Sequence, residues 1–173
     1  MSDGVLRTPR LLLRRFTRHD AGALVALDSD PEVVRYAEPE LEHSPRTLAD
    51  VERTLLPRIL SGYAKDPPHE QWAVLERPGG AFLGWFFLRP EAGGAWELGY
   101  RLRRSAWGKG FATEGAHEVL RYGFEVLEAE RIVAYVVADN AASVRVVEKL
   151  GMRHVGSSDW HGLEDRCYER RRA

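Results

Sequence analysis

The chain has 173 residues, 44% of them hydrophobic and 29% charged, with Lys+Arg 25 against Asp+Glu 26 and a formal net charge of -1. One domain over 1–173 with one core is expected, because domains commonly run to about 100–200 residues, and the composition is too apolar for disorder and too charged for a membrane protein. Near-neutrality leaves no whole-chain basic footprint for nucleic acid, the single cysteine, Cys167, excludes an internal disulfide and a Cys-based zinc site, and no apolar run reaches the roughly 18 residues of a membrane span.

The opening MSDGVLRTPR has no apolar segment of the secretory kind, so a cytoplasmic protein is expected. After Pro9, residues 11–16 read as a short apolar strand. Thr17 and Asp20 resemble a capping box, and Ala21, Leu24, Val25 and Leu27 follow at helical spacing. Asp30-Pro31 opens a short helical turn, and Ser44-Pro45 a longer helix carrying Leu48, Val51, Leu55 and Ile59. Pro57 is expected to kink or interrupt that helix. Residues 65–68 are a loop. Strands over 71–76, 81–88 and 95–102, joined by Pro78-Gly79-Gly80 and by 91–94, form an antiparallel meander. Trp107-Gly108-Lys109-Gly110 leads into a helix over about 112–127, with Ala116, Val119, Leu120, Phe124 and Leu127 on its apolar face. Residues 132–138 are nearly all apolar, as in a strand covered on both faces. Asn140 caps a last helix with Ala142, Val146, Val147 and Leu150 facing inward, and Gly151 ends it. Two weaker strands lie near 153–157 and 166–170. The fold class is a mixed α/β sheet, mostly antiparallel, with one parallel crossover and flanking helices.

The charges fall in blocks. Residues 6–18 hold five arginines and no acid; 28–52 hold eight acids and two arginines; 101–110 hold four cations and no acid. The last block coincides with the most informative segment, 102–114, where a strand ends, glycines turn the backbone and a helix begins. Free N–H groups at a helix start attract anions, and glycines let a phosphate approach closely. Two readings stay open there: a phosphate site, or a plain strand–helix turn with solvated arginines. A Walker A loop is excluded because Phe111 follows Gly110, and a dinucleotide fingerprint because the third glycine is missing.

The segment Gly99-Tyr100-Arg101-Leu102 through 107–114 resembles motif A of the GNAT acyl-CoA-dependent N-acetyltransferases. Residues 139–143 through 148–152 resemble their motif B. Residues 7–14 resemble the start of the subfamily of ribosomal-protein N-terminal acetyltransferases. The resemblance implies a GNAT fold and transfer of an acetyl group from acetyl-CoA to a primary amine by direct attack on the thioester. It also implies that the amides of Trp107, Gly108, Lys109, Gly110, Phe111 and Ala112, with Thr113 beside them, face the CoA pyrophosphate. Backbone groups of Tyr100, Arg101 and Leu102 would pair with pantetheine, and Asn140 and Ser143 would lie near the thioester. Two positions depart from the family's pattern. Ser105 stands where a glutamine or arginine is usual. Val147 stands where many members carry a tyrosine that protonates the leaving thiolate, which leaves Ser143 as the hydroxyl nearby; the same serine also reads as a helix-cap hydroxyl.

An amine must lose a proton before it attacks, so a general base helps. The resemblance points to Glu97, which otherwise reads as a solvent-facing strand residue. Tyr36, Trp85 and Trp160 are candidates for the acceptor site, with Phe87 beside them, although aromatics in sheets are more often core. The acidic block 28–52 either draws a cationic acceptor or forms a solvated helix face. The six histidines lack metal-site spacing, so no metal is expected. The expected acceptor is a peptide N-terminus or a small-molecule amine, with neither nucleic acid nor membrane as a partner, and the protein a monomer or homodimer. The competing reading is a non-catalytic acyl-CoA-binding sensor or partner module.

Overall fold

A computed structural model describes residues 4–173. Eight strands form one sheet: β1 (Leu6–Arg7), β2 (Leu11–Arg15), β3 (Glu70–Glu76), β4 (Phe82–Glu91), β5 (Ala95–Leu102), β6 (Arg131–Val137), β7 (Arg153–Trp160) and β8 (Leu163–Arg171). Their spatial order is β1-β2-β3-β4-β5-β6-β8-β7. Every neighbouring pair is antiparallel except β5 with β6. The mixed sheet with one parallel crossover is therefore as expected. The strand β1 escaped the sequence reading because two residues carry no periodicity. The β7 edge strand looked weak because almost all of it is exposed, which leaves no apolar alternation to read.

The helices lie on both faces. On one side are α1 (Ala21–Asp28), α2 (Pro31–Val34), α3 (Leu48–Asp50) and α4 (Leu56–Gly62); on the other are α5 (Phe111–Glu125) and α6 (Ala141–Lys149). Two apolar clusters result. Leu11, Leu13, Phe86 and Ile132 pack with Ala116, Val119 and Leu120 of α5. Phe16 and Ala73 pack with Leu24, Val51, Leu56 and Ile59. Among the described residues no helix is long and apolar enough to cross a membrane.

One local expectation needs correction. The helix placed after Ser44-Pro45 starts at Leu48, capped by Thr47, whose hydroxyl accepts from the Asp50 N–H while Asp50 accepts from the Thr47 N–H. A reciprocal cap satisfies two orphan donors at once and outcompetes a lone serine. The interruption expected at Pro57 takes the form of a π turn. The turn before the proline, Val51–Leu55, widens to π geometry, with the Leu56 N–H on the Val51 carbonyl, a common way to absorb a missing donor.

Helix α5 sits close to the sheet because two of its residues lack side chains. A Cβ on Gly115 would run into the Phe86 ring, and one on Gly123 into Ile132 and Leu88. Gly22 in α1 faces open space. Gly115→Ala is accordingly expected to lose about 1–3 kcal/mol through overpacking, whereas Gly22→Ala gains about 0.4–1 kcal/mol from reduced unfolded-state entropy. Urea unfolding of both variants checks the opposite signs.

The sheet parts in the middle. Strands β5 and β6 pair only at Trp96↔Ile132 and Glu97↔Val133. Beyond that point β5 stays with β4 as far as Leu102, and β6 stays with β8 as far as Val137↔Asp165. The gap between them opens the cleft.

Candidate active site

A cleft of about 880 Å³ lies where the strands separate. Backbone groups of β5 alternate in direction along the strand. The Arg103 N–H bonds to the Leu83 carbonyl on β4, so odd-numbered residues turn to β4. Tyr100 and Leu102 then turn their N–H and C=O groups to the gap, where no strand pairs with them. The Leu102 carbonyl is taken by the Trp107 indole N–H at 2.8 Å. Arg101 departs from the expected role. Its carbonyl faces β4, packed against Gly84, whose φ of 144° no side chain tolerates easily. Its peptide group is not free for a ligand in the gap.

At one end of the cleft stand Trp107, Gly108, Gly110, Phe111, Ala112 and Thr113. Gly108 and Gly110 have φ of 71° and 81°, and Gly110 caps α5. These left-handed values need glycine and aim the first amides of α5 at the cleft mouth. Lys109 is exposed and does not line the cleft. Its carbonyl accepts from Arg10 Nη1 at 2.9 Å. Arg10 lies over the Phe111 ring, 4.6 Å from its centroid, and pairs with Glu114, which also accepts from the Thr8 hydroxyl. Hydrogen bonds from Thr8 and Arg10 hold the Glu114 carboxyl below the ordinary range, against the upward push of burial. Arg145 and Lys149 of α6 add positive charge to the wall, and neither has an ion-pair partner among the described residues. They fall one turn apart on a face that otherwise reads as solvated, so the sequence offered no sign of them.

Asn140 and Ser143 stand at the start of α6. The Asn140 side-chain oxygen accepts from the Ser143 N–H at 3.2 Å, and the Ser143 hydroxyl accepts from the Tyr100 hydroxyl at 3.0 Å. The resemblance implies a backbone role alone for Tyr100, and this side-chain contact, between residues 43 positions apart, leaves no local signal in the sequence. Val147 is buried in the core. Ala142, expected to face inward, is exposed and lines the cleft.

The far end of the cleft is aromatic. Trp85 and Phe87 stack at 5.8 Å, and a Cβ on Gly99 would enter the Phe87 ring, so the bare strand position gives that ring its place. Tyr36 and Trp160 line the same end, as does Glu97. Arg89 bonds to Glu97 Oε2 through Nε at 2.8 Å and Nη2 at 2.7 Å. Oε1 has no protein partner among the described residues. Burial pushes the Glu97 carboxyl up, and Arg89 pulls it part of the way back.

The charge blocks are organised differently from the expectation. Arg101 is buried and bonds to Asp28 at 2.6 Å and Glu38 at 3.2 Å, and Arg46 bridges the same two acids. Arg104 pairs with Asp30 at 3.0 Å. Thus Arg101 and Arg104 neutralise Asp28, Glu38 and Asp30, and Arg103 donates to the Phe82 carbonyl, rather than gathering at the glycine loop. The acidic block likewise loses much of its field for a cationic ligand.

The sequence profile described as "Acetyltransferase (GNAT) domain" matches residues 10–153. The chain belongs to the GNAT family. A relative in Bacillus subtilis (strain 168), the uncharacterized N-acetyltransferase YoaA, is 30% identical over 155 residues, covering 88% of this chain and 84% of its own. Solved GNAT structures share the fold. The ribosomal-protein-S5-alanine acetyltransferase of Vibrio fischeri superposes with a TM-score of 0.74 at 16% identity, over 96% of both chains. The spermidine N-acetyltransferase of Vibrio cholerae, crystallised with CoA and spermine, gives 0.76 at 18% identity, over 95% of this chain and 96% of the other. The protein is an acetyl-CoA-dependent N-acetyltransferase that moves an acetyl group to an amine. Its open gap between strands, glycine-turned helix start, and Arg145 and Lys149, free of ion pairs among the described residues, fit a long ligand carrying phosphates at one end.

Proposed function

We propose that the acceptor is a primary amine on a peptide N-terminus or small molecule whose remaining surface is apolar or weakly charged, and that Glu97 and Ser143 act at the two ends of the transfer. The observation that carries the acceptor assignment is the state of the acids around the aromatic end. Glu38 and Glu97, which line the cleft, and the buried Asp28 are bonded to arginines, whereas Asp165, close enough to Glu97 to push its carboxyl up, lines the cleft with no ion pair among the described residues and leaves a single free carboxylate there. A polycation would have to displace those partners, whereas the Trp85–Phe87 surface favours apolar contact.

Acetyl-CoA supplies the thioester carbon that the amine attacks. The amine, with pKa near ~8 for an N-terminus or ~10 for an alkyl amine, reacts only after losing its proton. Glu97 takes that proton, directly or through one water, on the Oε1 that Arg89 leaves free. The Tyr100 amide, turned into the gap, is placed to donate to the carbonyl oxygen as negative charge develops there. Ser143 faces the sulfur that leaves. Trp107, Gly108, Gly110, Phe111, Ala112 and Thr113 hold the phosphates through the helix-start amides, with Asn140 beside the chain of the ligand.

The test is a thiol-release assay with acetyl-CoA over an acceptor panel. Peptides with apolar first residues should exceed spermidine by about 10-fold or more in kcat/KM, equivalent to about 1.4 kcal/mol. Spermidine as the best acceptor would overturn the assignment.

A further inference from the structure

We propose that Tyr100 is a positioning residue for the leaving-group end of the reaction: its phenol engages the Ser143 hydroxyl and so turns the proton of Ser143 toward the departing sulfur. The proposal rests on the reading of Ser143 given above and extends it to a residue on the neighbouring strand.

A serine hydroxyl has one proton and two acceptor positions. In a helix its usual partner is a carbonyl three or four residues back. Ser143 makes no such bond among the described residues. Its own N–H is fixed on Asn140, and its hydroxyl meets only Tyr100. A phenol is intrinsically more acidic than an alkyl alcohol, so Tyr100 is the donor of the pair. One acceptor site of Ser143 is thus filled, and its proton is directed into the cleft that both residues line. The Tyr100 ring is held by Phe86, 5.4 Å between centroids. The donor therefore comes from the core side of β5, where the helix itself offers only Val147. Burial pushes the Tyr100 phenol up, so it stays protonated through the neutral range.

In the transfer, the bond from amine nitrogen to acetyl carbon forms and the carbon–sulfur bond breaks, its electron pair remaining on sulfur. The amine proton leaves by way of Glu97. The thiolate receives a hydrogen bond from Ser143 and its final proton from solvent. Tyr100 and Ser143 finish as they began, since a buried phenolate would be costly.

Product CoA reports on this arrangement without any acceptor. The ultraviolet absorbance of its thiolate, titrated while bound, gives the thiol pKa. Wild type should hold that pKa about one unit below Ser143→Ala, and Tyr100→Phe should titrate with Ser143→Ala, as should the double variant. Tyr100→Phe keeps the ring against Phe86, so CoA affinity and melting temperature should stay near wild type. In turnover with the fastest panel acceptor, Tyr100→Phe should lose about 10-fold in kcat with the acetyl-CoA KM unchanged, the scale of one net hydrogen bond. A Tyr100→Phe protein that titrates and turns over as wild type overturns the role of Tyr100 alone. A Ser143→Ala protein that does so overturns the Ser143 reading together with it.

Discussion

Glu97→Gln is expected to lower kcat at neutral pH by about 10²–10⁴-fold while changing acetyl-CoA affinity little, the range typical of a lost general base. The side chain stays the same size and can still accept a hydrogen bond from Arg89, so the aromatic end should keep its shape. What disappears is a proton acceptor next to the amine. The pH profile gives a second readout. Glu97 must be ionised to act, so wild-type kcat/KM falls as pH drops through its pKa. Burial raises that pKa above the ordinary carboxylate value of about 4.3, placing the acid limb closer to neutrality than a surface glutamate would. Glu97→Gln should lose this limb and retain only the rise toward the amine's own pKa. Above that pKa the amine is already neutral, and the deficit should narrow. Arg89→Ala should move the limb upward, because the arginine that pulls the Glu97 carboxyl down is then gone and burial acts unopposed. Full turnover in Glu97→Gln, with an unchanged acid limb, would remove Glu97 from the mechanism.

The same residues show what a sequence can and cannot carry. Strand and helix order was legible because alternation, capping and glycine placement are local signals. The 111–125 helix, the Asn140 cap and the Gly151 terminator could all be read within a few residues. Errors arose where two local signals competed, as with Ser44-Pro45 against Thr47 and Asp50, or where partners are far apart. Arg101 and Asp28 are 73 positions apart, and Tyr100 and Ser143 are 43 apart. No periodicity links such pairs. A block of arginines beside a glycine loop looks like a phosphate site until the acids that neutralise it are located. Arg145 and Lys149 show the reverse case: cations on a helix face that gain meaning only once the cleft is known to lie beside them.

The Arg101 network leads to the largest expected loss of stability. Asp28 is 1% exposed and Arg101 4% in their side chains, and they share Arg46 and Glu38 as outer partners. Arg101 Nε is buried with no hydrogen-bond partner, so the guanidinium depends on its Nη contacts to offset desolvation. Asp28→Asn preserves volume but leaves two arginines against Glu38 alone. Removing one member of a buried pair costs about 3–5 kcal/mol, because the other charge stays buried without compensation. That is a large share of the roughly 5–15 kcal/mol that holds a domain folded, and corresponds to a fall in Tm of about 6 °C or more at this chain length. Arg101 also lies over the Trp85 ring, 5.2 Å from its centroid. Loosening it should therefore raise the acceptor KM. The double variant Asp28→Asn/Arg101→Met separates charge from packing: it removes the stranded cation and should recover part of the stability lost by Asp28→Asn. Thermal and urea unfolding of the single and double variants check this. A single-variant loss below about 1 kcal/mol, within the range of exposed ion pairs, would mean that water reaches Arg101 and that the network does not form part of the core.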